Sequence, residues 1–250
     1  MNFEQIELIN ACHARLLDVM NEQGVSAVLT ANPINILYAT GQRNMTVFSL
    51  MGPFRFALVR ADGRTVLWEF AGCEHLVSGN PVVDEVRAAP GITPVSGPTY
   101  LADIGRFASE LSALLPDGQI AVEGIDFPMT DRLRDLGLKL SDATGVFGDA
   151  RLIKQPQEIA VMREAVHRVE AAAASLEAAI QPGVSEVEAW SEFHKHLIAT
   201  DGEYISTRLF QSGPRTFPYF QEAGPRRMQA GDLVCFDTDA LGYLHYAVDF

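Results

Sequence analysis

The stretch Gly231-Asp232-Leu233-Val234-Cys235-Phe236-Asp237-Thr238-Asp239-Ala240-Leu241-Gly242-Tyr243-Leu244-His245-Tyr246-Ala247-Val248-Asp249-Phe250 carries three spaced aspartates on a strand-like apolar background. On a strand, Asp237 and Asp239 point to one face. A turn near Leu241-Gly242 folds the next strand back, and if it centres near Tyr243, Asp249 lands opposite Asp237. Like charges directly across a ladder destabilise it, and burying them unpaired is costly. A divalent cation removes both problems, because carboxylates suit hard or borderline metals. The ordinary alternative is a solvated hairpin with a wet acidic face. Against it, Leu233, Val234, Phe236 and the Tyr and Val residues make a rather apolar strand pair.

Upstream of this hairpin, Ser185 with Glu188 three residues later forms a capping box that opens a helix running to about Ile198. A longer helix precedes it from Gln157 to Ile180, with Ile159, Met162, Val166 and Val169 on one side and Pro182-Gly183 as its stop. The segment Ile205 to Phe210, a Gly/Pro-rich stretch from Ser212 to Pro225 and the strand from Leu233 complete this half, which reads as helices followed by antiparallel strands. Residues from Ser141 to Pro156 are less patterned and hold the expected domain boundary. The first half interleaves helices (Glu4 to Glu22, Tyr100 to Leu115, Met129 to Leu136) with strands (Ser26 to Thr30, Phe54 to Val59, Thr65 to Phe70, Ile120 to Val122, Leu138 to Leu140). That order is α/β. The run from Pro90 through Thr93-Pro94 to Gly97-Pro98 is a loop.

Composition bounds the function. In 250 residues, 19 Lys+Arg stand against 32 Asp+Glu, a net charge of −13. A surface this acidic is repelled by phosphate, so neither nucleic acid nor an anionic membrane is an expected partner; a small-molecule substrate or a cation is. Cys12, Cys73 and Cys235 match no disulfide framework or zinc ribbon and read as reduced thiols of a cytoplasmic protein. No window of about 18 uncharged apolar residues spans a membrane. Residues Met1 to Gln5 show no basic secretory leader.

The sequence resembles the pita-bread metalloenzymes: prolidase, aminopeptidase P, creatinase and methionine aminopeptidase. The Gly-Asp-Leu-Val strand entering Asp237, the Gly-Tyr turn and Asp249 look like that family's first metal ligands. The segment Leu152-Ile153-Lys154 with Glu158-Ile159, Met162-Arg163 and Ala165 looks like its first catalytic-domain helix. Asn35-Ile36, Tyr38 and Thr40-Gly41 resemble a loop of its creatinase-type N-terminal domain. The peptidases place a His shortly after a Ser-Gly; here the run from Ser212-Gly213 to Glu222 has none, which counts against peptide hydrolysis. The segments Gly202-Glu203-Tyr204-Ile205, Thr207-Arg208-Leu209, Ser212-Gly213-Pro214-Arg215-Thr216 and Phe236-Asp237-Thr238-Asp239 resemble the iron-dependent dimethylsulfoniopropionate lyase branch.

The resemblance implies an α/β creatinase-like N-terminal domain over residues 1–150 and an incomplete α+β pita-bread catalytic domain over 151–250. It implies Asp237, Asp239 and Asp249 as ligands of two divalent ions, iron foremost with manganese, zinc and cobalt as alternatives. The remaining ligands, one His and two Glu, and the catalytic base are expected beyond Phe250. The implied reaction releases dimethyl sulfide from dimethylsulfoniopropionate and leaves acrylate. The alternatives are an Xaa-Pro metallopeptidase and a non-catalytic remnant of the fold. A homodimer is implied, with Phe48 contributed to a pocket that is often the neighbouring subunit's. The lyase carries Trp where this chain has Phe48, and either aromatic face attracts a sulfonium, Trp more strongly; a core or interface aromatic is the ordinary reading.

Other residues have competing readings. Arg208 and Arg215, with Arg226 and Arg227, suit a bidentate grip on a substrate carboxylate; pairing with local Glu222 or Asp232 is the simpler one. Cys235 shares the strand parity of Asp237 and reads as a site-facing or small core residue. His194 and His196 face apart on a helix and read as solvated. His245 shares the parity of Asp249 and is a candidate to approach the metal.

Overall fold

The computed structural model describes residues 3–92, 97 and 99–250. Part of the expected loop from Thr93 to Pro98, and Met1 and Asn2, lie outside them. The chain divides into two compact units, Met1–Gln155 and Pro156–Phe250.

Unit 1 is a six-stranded mixed sheet covered on both faces. Its strands are β1 (Ala27–Thr30), β2 (Phe56–Arg60), β3 (Thr65–Glu69), β4 (Glu85–Ala88), β5 (Gln119–Glu123) and β6 (Lys139–Asp142), in the order β4-β3-β2-β1-β5-β6. Strands β1, β2 and β3 pair antiparallel, and β5, β6 and β4 add in parallel. Period-two alternation decides which residue meets which layer. Ala27, Leu29, Phe56, Leu58, Val66 and Trp68 pack with Phe107 and Leu111, on one side of the sheet. Ala57 and Leu67 pack with Ile36, on the other. The helices are α1 (Phe3–Glu22), α2 (Pro33–Thr40), the single turn α3 (Thr46–Ser49), α4 (Tyr100–Leu114), α5 (Phe127–Asp135) and α6 (Thr144–Leu152).

Two segments differ from their sequence reading. Residues Asn35 to Gly41, read as a loop, form most of α2. The Asn32 side chain accepts the Ile34 N–H at 2.9 Å, Pro33 occupies the first turn, and Gly41 ends the helix at φ 68°. A Cβ on Gly41 would lie 2.2 Å from Ile9 of α1, so glycine is needed there for conformation and for space. Within the stretch read as unpatterned, residues 144–152 form α6, buried through Val146, Phe147 and Ala150.

Unit 2 opens with α7 (Pro156–Ala179) and α8 (Glu186–Ala199). Ala165, Val169, Ala172 and Leu176 of α7 pack with Ala189, Trp190, Phe193 and Leu197 of α8. The capping box stands as read: the Ser185 hydroxyl accepts the Glu188 N–H, and the Glu188 carboxylate accepts the Ser185 N–H. The strands are β7 (Tyr204–Ile205), β8 (Phe210–Ser212), β9 (Val234–Phe236), β10 (Ala240–Leu241) and β11 (Ala247–Val248). They form two small antiparallel sheets, β8-β9 and β11-β10-β7.

This corrects the expected hairpin. The strand from Leu233 does not run unbroken through Asp239. It leaves the β8 ladder after Asp237, whose N–H donates to Leu209 O at 3.0 Å, and joins the β7 ladder at Asp239, whose carbonyl accepts the Ser206 N–H at 3.0 Å. Between the two ladders Asp239 adopts φ 37°. The following turn pairs Ala240 with Val248 and Leu241 with Ala247. One step further along that register, Asp249 faces Asp239 rather than Asp237.

Candidate metal centre

The break between the ladders brings the three aspartates together. Asp237, Asp239 and Asp249 each offer a carboxylate oxygen within 4.8 Å of the others, and among the described residues no other group of three or more His, Cys, Asp or Glu gathers so closely. Asp237 and Asp239 are half-buried and Asp249 is exposed. Asp239 is held by the Thr207 hydroxyl, which donates to its Oδ2 at 2.6 Å. The Tyr219 hydroxyl lies 3.5 Å from Asp237 Oδ2. Buried Thr238 points away from the cluster: its Oγ1 accepts the Phe250 N–H at 2.9 Å and lies 3.5 Å from Val248 O. It thereby stitches the Asp237–Asp239 segment to the segment bearing Asp249.

Three carboxylates this close cannot all ionise freely. A hydrogen bond with the Asp249 carboxyl, then burial, then the charges of Asp239 and Asp249 push Asp237 up to about 6. Burial, then the charge of Asp237 and its hydrogen bond, and more weakly Asp249, raise the Tyr219 phenol. A proton shared between carboxyls is what such a cluster holds when no cation compensates it. An all-oxygen donor set of this charge fits a hard or borderline divalent ion.

The other predicted residues are placed as follows. Arg215 pairs with Glu186, which is completely buried; Glu186 also accepts from Ser212 N at 2.9 Å, Ser212 Oγ at 2.7 Å and Gly224 N at 3.0 Å. That guanidinium, itself partly exposed, is committed to Glu186 and to the Glu222 carbonyl, to which it donates at 2.8 Å. Arg226 binds Asp232, and Arg227 reaches Glu188 at 3.4 Å. Arg208 meets Glu222 at 2.9 Å with both side chains more than half exposed, a pairing that water competes for readily. His194 stacks edge-on against Trp190, and burial followed by the Arg208 charge lowers its pKa, so it is not the solvated residue expected. His196 Nδ1 lies 2.9 Å from Ser175 Oγ. His245, the histidine considered for the metal, places Nε2 3.1 Å from Glu203 Oε2. Cys235 is half-buried on β9, where it pairs with Gln211 of β8. In unit 1, Phe48 stacks on Phe54 at 4.5 Å, both rings beside Phe70, and Phe48 is 43 % exposed.

Thr207, Thr238 and Tyr219 were not singled out from sequence. Thr238 had a legible signal: a β-branched hydroxyl between two same-face aspartates must point to the opposite side. Thr207 and Tyr219 lie more than ten residues from Asp237 and had none.

Residues 160–250 match the model of metallopeptidase family M24. The chain is 34 % identical over 246 residues to a dimethylsulfoniopropionate lyase DddP of Roseovarius nubinhibens, covering 94 % of this chain and 55 % of that protein. It is 35 % identical over 241 residues to the Roseobacter denitrificans protein of the same name, covering 92 % and 54 %. The chain thus spans about half the length of the curated relatives it matches. In fold it is similar to an Xaa-Pro dipeptidase from Bacillus anthracis (TM-score 0.74, 20 % identity, 95 % of this chain and 62 % of that one). A prolidase from Pyrococcus furiosus gives 0.73 at 20 % identity, covering 94 % and 68 %. These likenesses support a pita-bread type of fold, the fold that sequence reading gave residues 151–250, and a mixed α/β sheet is present in unit 1.

Proposed function

We propose, from the premise that residues 160–250 match metallopeptidase family M24, that the whole protein, including the His, the two Glu and the base expected beyond Phe250, is a metal-dependent lyase releasing dimethyl sulfide from dimethylsulfoniopropionate and leaving acrylate. The convergence of Asp237, Asp239 and Asp249 carries this reading. Identity of about one third to two lyases along nearly the whole chain supports the reaction class.

In this reading the three aspartates hold divalent metal, two ions with iron foremost, and move no proton. The metal supplies Lewis acidity toward the substrate carboxylate. Thr207 fixes the Asp239 carboxylate, and Thr238 fixes the backbone on either side of the cluster. Arg208, in a solvent-exposed pair, is free to exchange Glu222 for a substrate carboxylate. Arg215 would have to abandon a buried carboxylate to do so, and it positions Glu186 instead. Phe48 offers a partly exposed aromatic face suited to a sulfonium. The overall change balances as loss of the proton alpha to the carboxylate and departure of the sulfonium sulfur with its bonding pair.

The second reading, an Xaa-Pro metallopeptidase, draws on the fold shared with the dipeptidases, and fold alone does not choose the chemistry. A homodimer and a cytoplasmic setting belong to the proposal as well. Headspace chromatography over the metal-loaded whole protein, residues beyond Phe250 included, decides the reaction. Dimethyl sulfide release, abolished in Asp237→Ala, is the expected result. Hydrolysis of Xaa-Pro dipeptides with no dimethyl sulfide overturns it. A whole protein, residues beyond Phe250 included, that retains no metal and turns over neither substrate is the non-catalytic remnant.

A further inference from the structure

The turn between β10 and β11 is built against its own backbone preference. Leu244 at φ 51° and His245 at φ 65° are consecutive non-glycine residues in the left-handed region. Such residues persist where the surroundings over-determine them. Three contacts fasten the turn to α7. Gly242 lies so close to Ala165 that an added Cβ would come within 3.0 Å of the Ala165 Cβ. The Arg168 guanidinium stands 4.0 Å over the Tyr243 ring. The Tyr246 hydroxyl donates to Glu158 Oε1 at 3.0 Å. A fourth contact fastens it to the β7 side. Glu203 donates its backbone N–H to Leu241 O at 2.9 Å, and its carboxylate lies 3.1 Å from Nε2 of buried His245. One residue thus grips the turn at its start and near its end.

From this geometry we infer that Glu203 and His245 form a latch that sets the register of the metal-binding hairpin. They are positioning residues for a centre neither of them ligates. The β10-β11 register is only two pairs long. A slip of one residue would turn Asp249 to the opposite face, away from Asp237 and Asp239. Two residue pairs hold a register weakly, and the side-chain bond at the turn, together with the Thr238–Phe250 bond at the open end, supplies the specification the ladder lacks. Glu203 is suited to this because the strand that follows it, β7, pairs with β10 through Tyr204 and Leu241. This inference rests on the metal-centre reading above.

The test is Mn²⁺ binding by the full chain, followed by calorimetry and by the electron-paramagnetic-resonance signal of free Mn²⁺, with unfolding temperature recorded in parallel. Glu203→Ala is expected to weaken Mn²⁺ binding by about tenfold or more, the scale on which partners that orient metal ligands act. Glu203→Gln keeps an acceptor oxygen for the imidazole N–H and is expected to bind as wild type. His245→Gly relieves the left-handed strain but deletes the bond, so it is expected to bind weakly despite a more permissive backbone. Wild-type affinity in folded Glu203→Ala or in His245→Gly overturns the latch. Should Glu203→Ala fail to fold, His245→Gly alone decides. If wild type takes up no Mn²⁺, or takes it up equally in Asp249→Asn, the metal-centre reading itself falls and the latch with it.

Discussion

The Thr238 hydroxyl accepts the Phe250 backbone N–H at 2.9 Å across twelve residues of chain, joining the segment between two of the aspartates to the residue after the third. Thr238→Val keeps the shape and removes that acceptor. It is expected to cost about 1 kcal/mol of stability, the usual worth of one such bond, and to weaken divalent-cation binding more than its stability loss explains. Chemical denaturation with and without Mn²⁺ measures both. Equal loss in the two conditions would assign Thr238 to stability alone.

Asp237 predicts a pH dependence of definite sign. Its folded-state pKa is pushed up to about 6, above the roughly 3.9 of an unfolded aspartate. Between these values the folded metal-free protein binds a proton that the unfolded chain releases, so this group's contribution is fully present below about pH 4 and is lost as pH rises through about 6. Divalent cation reverses the trend, because uptake expels that proton and is tighter at pH 7.5 than at pH 5. Urea melts of wild type against Asp237→Asn, with and without Mn²⁺, read the difference. A wild-type advantage that grows with pH in the absence of metal would contradict the shared proton.

In unit 1, Arg55 and Glu69 form a pair that is 1 % exposed on both sides, 2.6 Å apart, with Asn44 Nδ2 and the Phe70 N–H also donating to Glu69. Glu69→Ala leaves a buried guanidinium uncompensated and is expected to cost about 3–5 kcal/mol. The double variant Arg55→Met/Glu69→Leu is expected to recover much of that loss. Thermal melts of both variants test the claim, which fails if the single change is tolerated.

Ser185→Ala removes one half of the α8 capping box and is expected to cost about 1 kcal/mol. The loss should be concentrated at the start of α8, where hydrogen exchange of the Glu188 amide would accelerate. An unchanged Glu188 exchange rate would show that the Arg226 and Gly224 carbonyls, which accept from Glu186 and Val187, hold the helix start without the serine.

Legibility from sequence followed the length scale of the interaction. The two long helices of unit 2, the capping box and the strands 27–30, 56–60 and 65–69 are specified locally, by periodicity and caps, and were read close to their bounds. The short elements α2, α6 and β4 escaped. Segments of four to nine residues carry too few periods, and their stability comes from the sheet or helices they cover. The aspartate cluster was legible in its membership but not in its geometry. Alternation predicted a shared face for Asp237 and Asp239, whereas the chain changes ladders between them, a change driven by pairing with Leu209 and Ser206 that are remote in sequence. The fate of Arg215 was equally hidden, since nothing in its neighbourhood announces Glu186 as its partner.

The change of ladders also makes any shared ion a tether. Asp237 is pinned to the β8-β9 sheet and Asp239 with Asp249 to the β7-β10-β11 sheet, so occupancy would add a polar bond between two small sheets that otherwise meet through the core they share against α7 and α8. An ion that favours only the folded state adds about 2.7 kcal/mol at a hundredfold excess over its dissociation constant. Metal supply would then govern which part of unit 2 opens first. Depleted protein is expected to fray from its last strands while the α7-α8 pair stays closed, and replete protein to open as one cooperative block.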